Sequence, residues 1–463
     1  MRPAAPGVEY SLRCLYCAQN RPFVTIWRLA MNVPHTPPPK RRWLQMVTVD
    51  ITPLRRHRDF RLLFIGQLVS FFGTMITSVA VPYQVYQLSH SVLFVGMLGL
   101  AELAAILIFA LLGGALADAA DRRLMVLLTE AGLMAGSLVL AGNSLLARPT
   151  LWLIFAIVIV QASIDSLQRP SLGAMLPRLV DRDELPAAAA LGNVRGTLGM
   201  IAGPSIAGVL VAVAGLPATY VIDVATFVVG LTCLALMKEV PPPADAERPS
   251  LRRVVEGIRY ARSRRELIGT YVVDIVAMLF GMPMALFPAI AQTLGGPSVL
   301  GFLYAAPSVG AFAFAATSGW TRRVHRHGMG VIVAATVWGL AIIGFGVVPG
   351  LVAALVFLAL AGAADSMSGV FRQTIWNQTI PDSLRGRLAS IELLSYSVGP
   401  TLGNFEAGVV ASLTSIRFSI VSGGVLCVAG CVLCALALPA FRSYDARRYH
   451  QAPDPPTKPV KPE

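Results

Sequence analysis

The residues with the most chemistry to offer in this chain are acids and bases set inside long apolar runs. Glu102 lies about ten residues into the second run, near its middle. Glu130, Asp165, Arg195, Asp274 and Asp365 lie nearer one end of their runs, and Asp223 and Glu406 nearer the other. An ionisable group in hydrocarbon costs roughly 2.5–3.5 kcal/mol on insertion scales, so each needs a partner or a task. A carboxylate held there can load and release a proton, and Glu102 by its depth is the first candidate, Asp274 the second. Asp274, Met278 and Gly281 share one helical face, beside Phe280, Met282 and Met284. That soft, weakly charged lining suits a bulky amphipathic solute, and Met278, Gly281 and Met282 are the cavity candidates. Asp165 and Arg195 fall at matching depth on antiparallel runs, which predicts a buried ion pair. Arg169, four residues beyond Asp165, is the competing partner.

The elements that must position these groups are membrane spans. Only 14% of residues are charged and 55% are hydrophobic, against roughly 25% charged in soluble domains. Apolar stretches of about 20 residues predict an all-α membrane protein of twelve transmembrane helices in two six-helix bundles. The first six are expected at 60–88, 92–117, 124–145, 151–172, 187–215 and 218–236. The second six are expected at 267–294, 299–320, 329–348, 351–370, 388–413 and 418–441. This divides the chain into a tail (1–53), a bundle (54–238), a linker (239–266), a bundle (267–441) and a Pro-rich tail (442–463).

Arginines alternate from loop to loop. Arg122, Arg123, Arg178, Arg182, Arg322, Arg323, Arg326, Arg372, Arg385 and Arg387 are read as one set of loops, while the opposite set holds only Arg148 and Arg417. Basic loops stay in the cytoplasm, so both termini are expected inside, in a bacterial inner membrane. In the linker, Leu251, Val254, Val255 and Ile258 form an apolar stripe among arginines, as in a helix lying on anionic lipid. Met46 precedes a natural juxtamembrane start, so the first 45 residues read as an overextended gene start.

Several function classes are excluded. The net charge of +13 sits between apolar spans and speaks for membrane orientation, not for nucleic acid. The four lysines, Lys40, Lys238, Lys458 and Lys461, are never followed by Ser or Thr, so a Walker phosphate loop is absent. Cys427, Cys431 and Cys434 share one face of the last span as packing residues, and Cys14 and Cys17 form a lone pair without a second. No metal, cofactor or catalytic cluster is expected, and hence no enzyme.

The chain also echoes itself. Ser163-Ile-Asp165-Ser166 returns 200 positions later as Ala363-Ala-Asp365-Ser366, and Gly203-Pro204-Ser205-Ile206 returns as Gly399-Pro400-Thr401-Leu402. Gly114-Ala-Leu-Ala-Asp118-Ala-Ala-Asp121-Arg122-Arg123 has a counterpart in Ser318-Gly-Trp-Thr-Arg322-Arg323. A duplicated apolar bundle is how many secondary transporters are built.

The segment from Gly114 to Arg123 resembles the signature that joins the second and third helices of the major facilitator superfamily. It matches at Gly114, Asp118, Arg122 and Arg123 and departs at Ala119 and Asp121. The resemblance implies a gating latch of Asp118 with Arg122 or Arg123, weaker in the second half where Ser318 replaces the acid. Gly199, Gly203, Pro204 and Gly208 resemble the helix-5 motif of proton-coupled exporters in that superfamily, with Ala207 where glycine is usual. Val79–Ser91 and Gly301–Ala306 resemble its drug:proton antiporter branch, over nearly the whole chain outside the tails. The resemblance implies a secondary active transporter that exports amphipathic small molecules, drugs or a siderophore-like metabolite, against protons by alternating access. An importer or facilitator on the same fold is the alternative, and a receptor or membrane enzyme the distant one. The expected partners are a small-molecule substrate, protons and the lipid bilayer, and the expected state is a monomer.

Overall fold

The computed structural model describes residues 50–119, 121–240, 259–260 and 262–449, without the side chains of 110–119, 382–396 and 448–449. The amphipathic linker stripe at 251–258 and, of the two tails, residues 1–49 and 450–463 lie outside the described residues. A short helix α1 (Thr52–Arg56) leads into α2 (Arg58–Ser89), α3 (Val92–Ala119), α4 (Arg122–Leu145), α5 (Leu151–Leu179) and α6 (Leu185–Ala235). The later half holds α7 (Arg265–Phe280), α8 (Phe287–Leu294), α9 (Pro297–Thr317), α10 (His327–Val347), α11 (Leu351–Thr379), α12 (Asp382–Leu413) and α13 (Ile416–Ala437). Among the described residues, ten helices are long and apolar enough to cross a membrane.

Two of these are not single rods. The 51-residue α6 is broken at Gly215, whose φ of 76° is comfortable for glycine alone, and Pro217 restarts the helix beyond it. The break therefore falls between 215 and 218, where the fifth and sixth expected spans were divided. The apolar run expected at 267–294 stops at Phe280, passes through a turn at Met284–Leu286 and resumes as α8. Pro283 has no N–H to continue the ladder. Asn404 Oδ1 accepts from Ala285 N–H at 3.0 Å, and Tyr304 Oη donates to Met284 C=O at 3.1 Å, so α12 and α9 supply the lost backbone partners.

The two halves repeat their packing. α3 lies along α5 as α9 lies along α11, two helices apart in each case. The halves meet along two seams, α3 with α12 and α6 with α9. A β-carbon on Gly208 would lie 2.7 Å from Gly301 N, and one on Gly96 would lie 2.7 Å from Asn404 C=O. Backbone touches backbone there, the small-residue contact that joins helices in lipid. Both seams sit toward the sparsely charged end, near the Gly215 break and the first turns of α3 and α9. Among the described residues no comparable seam joins α5 to α11.

Candidate functional site

A cavity of ≈ 300 Å³ lies between the halves. Met200 of α6 reaches it from the first half, and Asp274, Met278, Met282 and Met284 reach it from the broken α7–α8 segment. Ser308 of α9, Trp338 of α10 and Asp365 and Arg372 of α11 add polar groups to it. Met278, Met282 and Asp274 are thus brought together, as the helical face had suggested. Gly281 packs instead against the indole of Trp338.

Arg372 corrects the sequence reading, which put it in a loop. Helix α11 continues past residue 370 to Thr379 and carries Arg372 inward, where it is 2% exposed. Its guanidinium pairs with the buried Asp274, and Asp365 Oδ1 stands 3.7 Å from its other nitrogen. Hydropathy ends the span too early because Phe371–Thr379 is polar in composition while packed against protein. Asp274 is therefore an ion-paired acid, which its position alone could not reveal.

The pair expected between Asp165 and Arg195 is not formed. Asp165 Oδ2 accepts from Arg169 Nε at 2.7 Å, one turn along the same helix and largely open to the surroundings. An i, i+4 partner is held close by the helix itself, whereas Arg195 would have had to reach across a helix packing. Arg195 makes no hydrogen bond or ion pair among the described residues, and its Nε is buried without an acceptor.

Glu102 likewise makes no hydrogen bond or ion pair among the described residues. Asp165 and, from the other half, Tyr304 lie within its electrostatic reach. The first half buries two further acids. Glu130 accepts from Gln67 Nε2 (2.7 Å), Ser70 Oγ (3.0 Å) and Gln168 Nε2 (3.3 Å). Asp223 accepts from Thr77 Oγ1 and Ser137 Oγ, both at 2.6 Å. Sequence reasoning placed both acids but missed these cages, whose members lie 38 to 146 positions away.

At the basic end, Gly114 and Asp118 fall in α3, and their side chains lie outside the described set. Arg122 is 6% exposed and donates to Ala174 C=O at 2.9 Å; Arg123 donates to Leu234 and Ala235 C=O at 2.8 and 2.6 Å. These arginines cover the carbonyl ends of neighbouring helices, where positive charge is favoured. Asp121, where the signature has glycine, caps α4 by accepting from Leu124 N–H at 2.8 Å. Nearby, His57 Nε2 lies 2.9 Å from Glu184, and Arg56 donates to the same carboxylate at 3.1 Å. That clasp ties the juxtamembrane helix to the α5–α6 connection, and its members, 127 and 128 positions apart, leave no local sequence signal.

The helix-5 glycines are contact points. A β-carbon on Gly199 would meet Phe71 at 2.3 Å, and one on Gly203 would meet Met75 at 2.4 Å. With Gly208 on Gly301, they let α6 press against α2 on one side and α9 on the other.

Comparison with known proteins follows the same lines. The family model of transmembrane secretion effectors (MFS_3) matches residues 48–463. The enterobactin exporter EntS of Shigella boydii serotype 18 (strain CDC 3083-94 / BS512) is 30% identical over 423 residues, covering 89% of this chain and 98% of its own. EntS of Escherichia coli O1:K1 / APEC is 29% identical over the same shares. Among solved structures, a bacterial homologue of the iron transporter ferroportin in an inward-facing state aligns with TM-score 0.63 at 16% identity, over 83% of this chain and 99% of that one. A bacterial homologue of the human lysosomal transporter Spinster, inward-facing and unoccupied, aligns with TM-score 0.65 at 14% identity, over 86% and 98%. These structural likenesses speak for the fold alone.

Proposed function

Because this chain belongs to the transmembrane secretion effector family of major facilitator transporters, we propose that it exports an amphipathic small molecule, a drug or a siderophore-like metabolite, by proton-coupled alternating access. The observation that carries this reading is the methionine-lined cavity between two repeated halves whose seams are closed at one end only. Soft thioethers accept varied apolar bodies, and the few charges give orientation. The twelve-span arrangement follows if the break at Gly215 divides α6 into two spans and α12 crosses as well. The basic end, with both termini, then faces the cytoplasm of a bacterial inner membrane. The seams close the cavity toward the outside, and loading is from within.

Protons enter through acids set inside the spans. Glu102 is the first candidate, since among the described residues it has no hydrogen bond or ion pair and Tyr304 of the other half lies within its electrostatic reach. Asp274 is the second, through exchange of Arg372 between it and Asp365. The Asp118 latch with Arg122 or Arg123, and the Gly199–Gly208 contacts, bias the two access states. The transported molecule and protons are the partners, and the working unit is a monomer. EntS is named as an enterobactin exporter, and a siderophore cargo here is carried over from that name.

The test compares secreted small molecules from iron-limited cells with and without the gene, by untargeted mass spectrometry. A secreted metabolite that vanishes with the gene and accumulates inside is expected. Glu102→Gln should reduce its export at least about tenfold if this acid carries the proton. An unchanged secreted profile, together with unchanged dye and antibiotic accumulation, would overturn the export reading.

A further inference from the structure

At the basic end, three side chains with metal-binding atoms converge from two segments of the chain, and none of them lines the cavity. His57 is the single residue between α1 and α2, where the backbone is extended (φ −105°, ψ 108°). Its Nε2 lies 2.9 Å from Glu184 Oε2 and 3.8 Å from Asp181 Oδ2. The three ligand atoms all fall within 4.8 Å of one another, the one such group of His, Cys, Asp or Glu among the described residues. Local spacing could not show it, since His57 and Glu184 stand 127 positions apart. The sequence reading accordingly expected no metal.

Glu184 stands at the N-cap of α6, where a carboxylate ordinarily accepts from first-turn amides. It makes no such bond, and its side chain, 9% exposed, turns back to His57 instead. Arg56 holds the other oxygen, Oε1, at 3.1 Å and so leaves Oε2 directed at the imidazole. Asp181 is the member that a plain salt bridge does not explain. The bond between His57 and Glu184 is complete without it, and at 3.8 Å with its side chain 69% exposed it adds little. As a third ligand it has a use. Donor atoms bound to one ion at about 2.0–2.2 Å stand roughly 3–4 Å apart, as the 2.9 and 3.8 Å separations do. Two carboxylates against one guanidinium leave a negative charge beside the imidazole, and neighbouring Arg58 is engaged by Asp59 at 3.6 Å.

We infer that His57, Asp181 and Glu184 bind a divalent transition-metal ion of the Zn²⁺ class, with water completing its shell. One imidazole nitrogen and two carboxylate oxygens suit such an ion, whereas Mg²⁺ and Ca²⁺ favour oxygen alone. Binding replaces the proton now held between Nε2 and Oε2, which leaves to solvent. The ion pins the juxtamembrane helix to the start of α6. It thereby joins the entrances of α2 and α6, the two helices that press together at Gly199 and Gly203. The site does not depend on the export reading.

The experiment uses the full-length protein in detergent, purified without a histidine tag and stripped with chelator. It is then dialysed against Zn²⁺ in a millimolar Mg²⁺ background, bound zinc is counted by elemental mass spectrometry, and apparent Tm is followed in parallel. Two variants are compared: His57→Gln, whose amide still donates to Glu184, and Asp181→Asn, which leaves the His57–Glu184 bond in place. The parent should hold one Zn²⁺ per chain more than either variant, whatever its cysteines bind. Its Tm should rise with zinc and fall back on chelation, and each variant should need at least about tenfold more zinc for the same rise. Without metal, Asp181→Asn should melt with the parent. Equal zinc in all three proteins, or a loss confined to one variant, would overturn the assignment. So would a metal-free Asp181→Asn that melts well below the parent, because Asp181 would then belong to the clasp itself.

Discussion

The two halves of this molecule share a packing plan but treat buried acids in opposite ways. The first half surrounds Glu130 and Asp223 with neutral donors: amides and hydroxyls from α2, α4, α5 and α6. Its own arginine, Arg195, stands within electrostatic reach of Glu130 without bonding to it. The second half sets a guanidinium against Asp274 and Asp365. Neutral cages fix geometry and leave the charge uncompensated, each donor contributing about 0.5–3 kcal/mol. A buried ion pair cancels charge, and removing one member strands the other. One half is thus built to tolerate gradual loss, the other to fail at a single residue.

The sharpest way to break this contrast is Arg372→Leu. It takes the guanidinium away from the buried Asp274 and should cost about 3–5 kcal/mol, read as a large fall in apparent Tm in detergent. Adding Asp274→Leu should recover most of that loss, because packed apolar side chains replace a buried pair at little cost. If the single variant is as stable as the parent, the two halves do not differ as described.

Ser137→Ala should cost less, about 1–3 kcal/mol, since Asp223 keeps its bond from Thr77. A loss as large as that of Arg372→Leu would mean that the cage depends on one donor. Arg169→Ala removes an open i, i+4 pair, and a change of at most about 0.5 kcal/mol is expected by the same melting measurement. Arg195→Met should be the mildest, level or slightly stabilising, because no bond is lost. A clear destabilisation there would place Arg195 in a pair with Glu130 and erase the contrast from the other side.

Much of this was legible in the order of residues. The spans, the Ser163/Ala363 repeat, and the methionines beside Asp274 all follow from periodicity and sidedness, which the chain carries locally. What escaped was tertiary. Arg372 looked like a loop residue because hydropathy measures affinity for lipid, and the last turns of α11 are buried by protein. Asp165 took the nearer of two bases, a choice decided by helix geometry over hydrophobic depth. The break in α7 was foreshadowed by Gly281 and Pro283, but a 20-residue window averages such interruptions away.

The glycine seams carry one more implication. Where Gly96 meets Asn404 and Gly208 meets Gly301, the joining surfaces are bare main chain, almost free of side-chain lettering. The walls of the cavity, by contrast, are written mostly in side chains. Substitutions that re-aim the protein at a new cargo therefore leave the closing surfaces untouched, and the fit of the seams does not have to be rediscovered each time. Such a separation lets a lineage diversify what it carries while inheriting its hinge unchanged.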